Sequence, residues 1–492
     1  MVLDLCRLFP AGSPAQQALD TVGQEIASTL DHEDAVLQDP CADPARRATK
    51  QEAYRFTDVR AVVSGELARA APALQSARAA ALVAGSALEL EDRPSATVVL
   101  LDGRILHVAR DPGLDAGVYV GPAAGAPAGV AAFALGMQSA ARGSFFSALN
   151  DAGADDVLVM HVPPGVDAGR VHVVHLCSAA AGMNTEAEVA RGSSDDAARR
   201  SSKGGNPASS PRTSLPRLLV LLEERAHAGL TQEFAALPRP SAAQPPSHAA
   251  SLHFVNSVAE VELDDGATLR HACVLASPPE PSGDDGAAGA SAPPPAHVWT
   301  TLVRQATASA YHLVEARVHG GLSRHDASVE QLGPATRTSL RSFLLASGAG
   351  VLDLHSAVEL DHPGAEVRQL HKCIVAASEA RGVFDGRVRV GRRAQRTDAG
   401  QLSRSLLLAP RATVHAKPNL QIIADDVTCT HGATVSDLEP EQLFYLGARG
   451  LGPRDARRLL VNSFGAEVVR ELGDARLQAR VDAAVRAALP RS

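Results

Sequence analysis

A long series of short apolar runs between residues 97 and 435 constrains the fold of this 492-residue chain more than any other feature. The runs, such as TVVLLDG at 97–103 and GVFDGRVRVG at 382–391, are rich in β-branched residues and are separated by Gly, Pro and Asp, a pattern typical of strands. No long helical pattern interrupts them after Arg142. Because α/β folds need crossover helices between parallel strands, a Rossmann or barrel plan is excluded, and a sandwich or a parallel β-helix remains.

The composition favours the second of these two folds. Aromatic residues make up only 3% of the chain although 45% of it is hydrophobic, so the core is built from Ala, Val and Leu. Runs without polar alternation, such as LLVLL at 218–222 and NLQIIA at 419–424, are typical of strands buried on both faces. Together these features favour strands stacked in a solenoid, although the coils do not repeat with one fixed period.

Three segments inside this region have almost no large apolar side chains. Residues 192–213, 236–250 and 277–297 are polar or rich in Pro, Gly and Ala, and cannot offset the entropy that ordering costs. Strand-like sequence flanks them, and insertions in loops between strands are well tolerated. We therefore predict three flexible insertions in a β core that extends over residues 96–435.

Both ends of the chain are predicted to be helical, with an N-terminal domain at 1–95 and a C-terminal domain at 436–492. The first contains apolar residues at four-residue spacing, namely Ala18, Val22, Ile26 and Leu30. In the second, Asp437 can cap a first helix, and Pro453 opens another helix after Gly452. The apolar stripe of that helix consists of Ala456, Leu460, Phe464 and Val468.

Charge, cysteine usage and hydropathy exclude several classes of protein. The net charge of −8 argues against a nucleic-acid partner, and no apolar run is long enough to span a bilayer. None of the six cysteines forms a C-x-x-C pair, so zinc-ribbon and ferredoxin motifs are absent and a reducing compartment is expected. The first twenty residues resemble neither a signal peptide nor a transit peptide, so any organelle address is expected to have been removed or never present.

The segment ADDVTCTHGATV at 424–435 is the one place where the sequence offers candidate chemistry. Asp425 and Asp426 could act as the paired carboxylates of a β-helical glycosidase, but neighbours on a strand point to opposite faces. Cys429 and His431, two residues apart, share a face and could form a soft-metal pair that needs ligands from a partner. A third alternative, favoured by pattern alone, is a buried cysteine beside a surface histidine.

Several segments resemble the SufB/SufD family of iron–sulfur cluster assembly proteins, and its SufD members in particular. The resemblance is densest over residues 417–469, from KPNLQIIADDVTCTHGATV to NSFGAEVV. EAYRFTDV at 52–59, GVYVG at 117–121, HFVNSVAEVEL at 253–263 and LSRHDASVEQLG at 322–333 follow the family order. The chain lacks the additional core cysteines of SufB-type members, and its RFTD and GVYVG elements are closer to plastid members.

The resemblance implies a mainly β fold with a right-handed parallel β-helix core flanked by N-terminal and C-terminal helical domains. It also implies a non-enzymatic scaffold that pairs with a SufB-like subunit through the β-helix edge and binds a SufC-like ABC ATPase through its C-terminal helices. We expect a chloroplast stroma location, or alternatively the cytoplasm of a bacterium. A β-helical polysaccharide hydrolase or lyase using Asp425 and Asp426 is the alternative function.

The resemblance also implies site residues. Cys429 and His431 are expected at the SufB–SufD interface as tentative metal ligands shared with the partner. No cofactor is expected to be held by this chain alone, although iron or a transient iron–sulfur cluster could reside at that interface. The residues expected to dock the ATPase are Leu443, Phe444, Tyr445, Arg449, Leu459, Leu460 and Phe464.

Overall fold

The computed structural model describes residues 68–69, 88–127, 129–130, 135–177, 212–236, 253–276 and 294–489. The predicted apolar stripe at 18–30, most of the predicted N-terminal helical domain and the RFTD element lie outside the described residues. So does most of each predicted insertion. At their edges, however, β strands begin at Arg212 and Ala296, so the ends of the 192–213 and 277–297 segments belong to the core.

The described residues form two large sheets whose strands alternate along the chain. Sheet I has the order β20-β18-β16-β14-β12-β10-β8-β5-β4, with β7 joined to β10 and β1 to β7. Its strands are β1 (Ala68–Arg69), β4 (Tyr119–Pro122), β5 (Val157–Val162), β7 (Arg212–Ser214), β8 (Arg217–Leu222), β10 (His253–Leu263), β12 (Ala296–Gln305), β14 (Leu322–Gln331), β16 (Val351–Leu360), β18 (Arg381–Val390) and β20 (Thr413–Ile422). Sheet II has the order β21-β19-β17-β15-β13-β11-β9-β6-β2-β3. Its strands are β2 (Ala96–Leu101), β3 (Arg104–Arg110), β6 (Asp167–Cys177), β9 (His227–Ala236), β11 (Thr268–Ala276), β13 (Ala310–His319), β15 (Arg337–Ala346), β17 (Glu366–Val375), β19 (Thr397–Leu407) and β21 (Val427–Ser436).

The pairing within both sheets is that of a parallel β-helix. Leu322 pairs with Val351, and Val351 pairs with Arg381, so these coils return to the same sheet after roughly 30 residues. Only two pairs are antiparallel among the described strands, β2 with β3 and β4 with β5, and both lie at the N-terminal end of the stack. The predicted β-helix core is therefore confirmed, and the sandwich alternative is wrong.

Side-chain alternation places a core of small apolar residues between the two sheets. In β13, Tyr311 and Leu313 point inward, whereas Ala316 and Val318 point outward. Valines at one register of sheet I stack along the axis of the core, namely Val303, Val329, Val358 and Val388. This stacking explains why the chain needs few aromatic residues, because branched aliphatic side chains fill the narrow space between flat sheets.

Five α-helices accompany the sheets in the described part of the chain. They are α1 (Met137–Arg142), α2 (Phe145–Gly153), α3 (Pro440–Ala448), α4 (Pro453–Val469) and α5 (Ala475–Ala488), with 3₁₀ turns at Ala123–Gly125 and Arg470–Leu472. Helix α2 is a short helix just after Arg142 that the sequence pattern did not indicate. It begins with a capping box of Ser144 and Ser147, and it buries Phe146 and Leu149.

Of the three C-terminal helices, α4 and α5 cover part of the outer face of sheet II, and α3 packs on α4. Val461 and Val481 share one apolar cluster with Ala316, Phe343 and Ile374 of the sheet. The predicted stripe of α4 packs toward this cluster, and its Pro453 start is confirmed. The predicted cap of α3 is wrong, because the N-cap residue is Glu439. Asp437 instead accepts a hydrogen bond from the backbone N–H of Leu438 at 2.7 Å.

Candidate functional site

The C-terminal coil leaves one end of the β-helix open. Among the described residues, β20 pairs only with β18, and β21 pairs only with β19. Three large apolar side chains are exposed there, with 45% of Ile422, 41% of Ile423 and 48% of Val435 accessible to solvent. Two edge strands with exposed apolar side chains can pair with another chain. The composition of the NLQIIA run predicts a strand buried on both faces. That prediction is wrong, because Ile422 and Ile423 are exposed.

Cys429 and His431 lie on β21, in this last coil. Cys429 is in register with Ala399 of β19, and His431 is in register with Gln401. Their spacing of two places both on the inward face of the sheet, as predicted. Cys429 is half-buried against the apolar core, whereas His431 is exposed at the open end.

The protein environment keeps the thiol of Cys429 neutral. Burial raises its pKa above the ordinary value, outweighing a backbone hydrogen bond at Ala399, and the charge of Asp398 adds to the increase. A thiol with a raised pKa is a poor nucleophile, so Cys429 is not activated by its own chain. Among the described residues, no group of three or more His, Cys, Asp and Glu side chains is arranged to hold a metal ion. The pair can therefore supply only part of a ligand set.

Asp425 and Asp426 lie in the turn between β20 and β21, not on the strand where the sequence placed them. Both side chains are exposed. The backbone of Asp426 is bonded to the preceding corner, because its N–H donates to Gln395 Oε1 at 2.8 Å and its carbonyl accepts from the Arg396 N–H at 2.6 Å. These contacts give the turn a structural role in closing the last coil.

The residues predicted to dock an ATPase fall into two groups. Phe444, Tyr445 and Leu459 project from α3 and α4, and Phe444 is 78% exposed. The guanidinium of Arg449 lies 4.8 Å from the centre of the Tyr445 ring. The other predicted residues, Leu443, Leu460 and Phe464, are partly buried and pack against the apolar cluster under the helices.

A groove of about 410 Å³ separates α3 from α4. Its lining residues are Glu441, Gln442, Tyr445, Leu446, Leu459, Leu460 and Ser463. Exposed aromatic and aliphatic side chains beside a groove are the usual anchors of a protein interface. Sequence reasoning thus found much of this surface, but it did not distinguish the exposed residues from those that attach the helices to sheet II.

Comparison with known proteins identifies the family. Residues 204–464 match the model of the SUF system FeS cluster assembly SufBD core domain, which covers the chain from before β7 to within α4. The chain belongs to the SufB/SufD family. Iron–sulfur cluster assembly is therefore its general role.

Three relatives place this SufB/SufD family member more closely. It is 37% identical to Protein ABCI7, chloroplastic, of Arabidopsis thaliana over 86% of this chain and 78% of that protein. It is 37% identical to the iron–sulfur cluster assembly SufBD family protein slr0076 of Synechocystis, over 54% of this chain and 55% of the relative. With the iron–sulfur cluster assembly protein SufD of Escherichia coli, it is 34% identical over 40% of this chain and 45% of that protein.

Sequence reasoning missed the three exposed apolar residues at the open end of this family member, Ile422, Ile423 and Val435. Their signal was present, since they belong to the last apolar runs before the chain turns helical at Pro440. A final coil has no neighbour to cover it. In the part of the chain that the structure describes, no helix has the length and hydropathy needed to span a membrane.

Proposed function

We propose that this chain is a SufD-type scaffold subunit, not itself an enzyme, that pairs with a SufB-like subunit through the open end of its β-helix. A SufC-like ABC ATPase binds its C-terminal helices, and a nascent cluster or iron is held as cargo between the two scaffold subunits. The single observation that carries the proposal is the position of Cys429 and His431 in a coil on which no further described strand stacks.

The open end has the properties that pairing with another β-helix requires. Edge strands β20 and β21 expose backbone hydrogen-bonding groups, which a partner's strands can satisfy by continuing the two sheets. The exposed Ile422, Ile423 and Val435 would lose their contact with water at the same time. Such a pairing encloses Cys429 and His431 between two subunits, where donors from the partner can complete a ligand set.

The chemistry of the pair suits a transient cargo. The imidazole of His431 is already exposed to solvent, and imidazole binds iron well. Cys429 must lose its proton before it binds metal, and the raised pKa of its thiol opposes that loss in the free chain. Cys429 and His431 alone therefore bind a metal ion weakly, and they need the partner's ligands to bind it tightly. Weak binding by this chain alone suits a site that releases its cluster.

The groove between α3 and α4 supports the assignment of an ATPase partner. Phe444 and Tyr445 offer rigid aromatic surface, and Leu459 adds an aliphatic anchor on the opposite wall. Because α4 packs on sheet II through Leu460 and Phe464, a partner that moves this helix acts on the β-helix directly. A chloroplast stroma location is proposed from the relative that is named chloroplastic.

A reconstituted complex with SufB-like and SufC-like partners tests the site. We expect His431→Ala to abolish cluster formation, measured as bound iron and sulfide, while the complex still elutes as one species. His227→Ala, an exposed histidine at the start of β9, is the matched control and should retain cluster formation. Normal cluster content in the His431→Ala complex would refute the site.

A binding assay tests the docking surface separately. Deleting residues 436–492 would uncover the apolar face of sheet II, so point variants are the better probes. Phe444→Ala combined with Tyr445→Ala should abolish capture of the ATPase with no loss of thermal stability, because both side chains are exposed. Arg476→Ala on α5 is the control, and equal binding by both variants would contradict the assignment.

A further inference from the structure

A row of polar side chains lies inside the β-helix, where the neighbouring core is apolar. Six consecutive strands of sheet II, from β9 to β19, place five such residues and one cysteine at successive register positions. We name this set the interior polar row, and its members are Gln232, Cys273, Glu315, Ser342, His371 and Ser403. All six are buried. With strands about 4.8 Å apart, the row is roughly 24 Å long.

The row points between the two sheets and not toward solvent. Glu315 has the same strand parity as Tyr311 and Leu313, which belong to the interior apolar cluster. Its carboxylate reaches across to sheet I, where Oε2 lies 2.5 Å from His325 Nδ1. His325 Nε2 in turn lies 2.9 Å from Thr301 Oγ1. Polar groups of both sheets therefore meet along one line inside the fold.

Hydrogen bonds between protein groups extend from the row toward the last coil. Ser342 Oγ lies 2.8 Å from His371 Nδ1. Beside His371, Gln369 donates to Ser356 Oγ at 2.6 Å and accepts from Gln401 Nε2 at 2.8 Å. Gln401 is the register neighbour of His431, so this line of polar groups reaches the open end.

Several atoms on this line have no hydrogen-bond partner among the residues that the structure describes. They are Gln232 Nε2, Gln401 Oε1 and Ser403 Oγ, together with Arg317 Nε, whose guanidinium bonds Glu315, and Trp299 Nε1, whose ring lies 5.8 Å from that of His325. The residues that carry these atoms are more than nine-tenths buried. Leaving one buried polar atom unsatisfied costs about 1–3 kcal/mol, so folded proteins rarely tolerate several such atoms along one line.

We infer that the interior polar row binds a file of ordered water molecules that joins the Glu315–His325 pair to Gln401, behind His431. Ordered water in this file supplies the partners that Gln401 and Ser403 lack, since each buried water makes two to four hydrogen bonds to polar groups. The apolar side of the same interior, which includes Val303 and Val358, stays dry because it offers no polar partners.

The charge distribution supports hydration at this place. Burial would raise the pKa of Glu315, but Arg317 and His325 outweigh it and lower the pKa to about 2. The Glu315 carboxylate is therefore ionised inside the β-helix. An ionised group in a dry interior is costly, and water beside it reduces that cost.

A crystal structure of the full chain, at a resolution that shows ordered water, tests the inference directly. We expect water within hydrogen-bond distance of Ser403 Oγ and of Gln401 Oε1, and none against Val358. The inference would be overturned if these polar atoms had no such water beside them. It would also be overturned if the side chains of the interior polar row packed directly against one another. The result does not depend on the proposed partners, because the isolated chain is used.

Variant stability supplies a second readout in solution. Ser403→Ala removes a hydroxyl group without adding volume. If water satisfies that hydroxyl, the substitution should leave the melting temperature unchanged or lower it. The melting temperature should rise if the hydroxyl is dry and unsatisfied, which would overturn the inference. Thr338→Val is the matched control, because Thr338 Oγ1 donates to Gln305 Oε1 at 2.6 Å and its loss should lower the melting temperature.

Discussion

One largely buried ion pair attaches α5 to sheet II, in addition to the apolar contacts of Val481. The guanidinium of Arg480 donates to Glu233 of β9 through Nε and Nη2, at 2.7 Å and 2.8 Å. A third hydrogen bond joins Arg480 Nη1 to the carbonyl of Glu89 at 3.0 Å. Glu233 is 4% exposed, and the imidazole of His172 lies 3.2 Å from it. We predict that Arg480→Ala weakens the whole C-terminal region.

The size of the effect follows from the burial of the carboxylate. Without Arg480, Glu233 retains one neighbour, His172, and cannot reach solvent. Removing one partner of a buried pair costs about 3–5 kcal/mol, because the other charge is left uncompensated. Adding Glu233→Gln to Arg480→Ala removes that charge, so the double variant should recover much of the lost free energy of unfolding.

Arg476 provides a matched control one helical turn earlier. It pairs with Glu89 at 2.8 Å, but the two side chains are 54% and 50% exposed. An exposed pair contributes about 0–1 kcal/mol, so Arg476→Ala should change the free energy of unfolding by no more than that. Urea denaturation followed by circular dichroism measures both variants. Equal losses for Arg480→Ala and Arg476→Ala would refute the reasoning, as would a double variant no more stable than Arg480→Ala.

Three further predictions concern the same interface. Asp474 caps α5 and accepts hydrogen bonds from Leu477 and Glu91. Burial alone would raise the pKa of Asp474, but these bonds and Arg170 lower it. The stabilisation that ionised Asp474 gives the fold is therefore present above pH 3.8 and is lost as the pH falls through the lowered pKa. Urea titrations should therefore show Asp474→Asn less stable than the parent at neutral pH and equal to it in acid, whereas a constant difference would contradict this. Gly465→Ala adds a Cβ 2.8 Å from the Phe343 ring. The free energy of unfolding should therefore fall by about 1–3 kcal/mol despite the better helix propensity of Ala, and a rise would be contrary evidence. Lys372→Met removes the hydrogen bond that lowers the pKa of Glu467, so carboxyl NMR should show that pKa rising, and an unchanged value would count against the contact.

The fold was accessible from sequence because one physical signal repeats in every coil. Each coil needs strands with alternating or doubly apolar patterns, and such runs recur from β2 to β21. Helix α2 escaped detection because its nine residues form little more than two turns, and its apolar pair Phe145–Phe146 also fits a strand. Its start depends on Ser144 and Ser147, a capping box with Ser in place of the usual Glu.

The candidate site was predictable only in part, for a related reason. The spacing of Cys429 and His431 gives their common face, because alternation on a strand is local. Their exposure depends on β21 being the last strand of its sheet, which is a property of the whole stack. For the same reason, the run containing Ile422 and Ile423 was interpreted as buried although both residues are exposed.

The β-helix keeps the helical surface proposed to bind the ATPase apart from the C-terminal coil proposed to pair with the second scaffold subunit. The outer face of sheet II is covered in part by α4 and α5, whose contacts with Phe343 and Ile374 tie their position to the strands beneath. In the described ranges no further strand stacks on the C-terminal coil, so its edge is the surface proposed for the second scaffold subunit. Lys372 connects the two, because it bonds the carbonyl of Phe464 on α4 from β17, two strands from β21 in sheet II. Helix α4 is thus joined by a direct hydrogen bond to a strand that is separated from the strand of His431 by β19 alone.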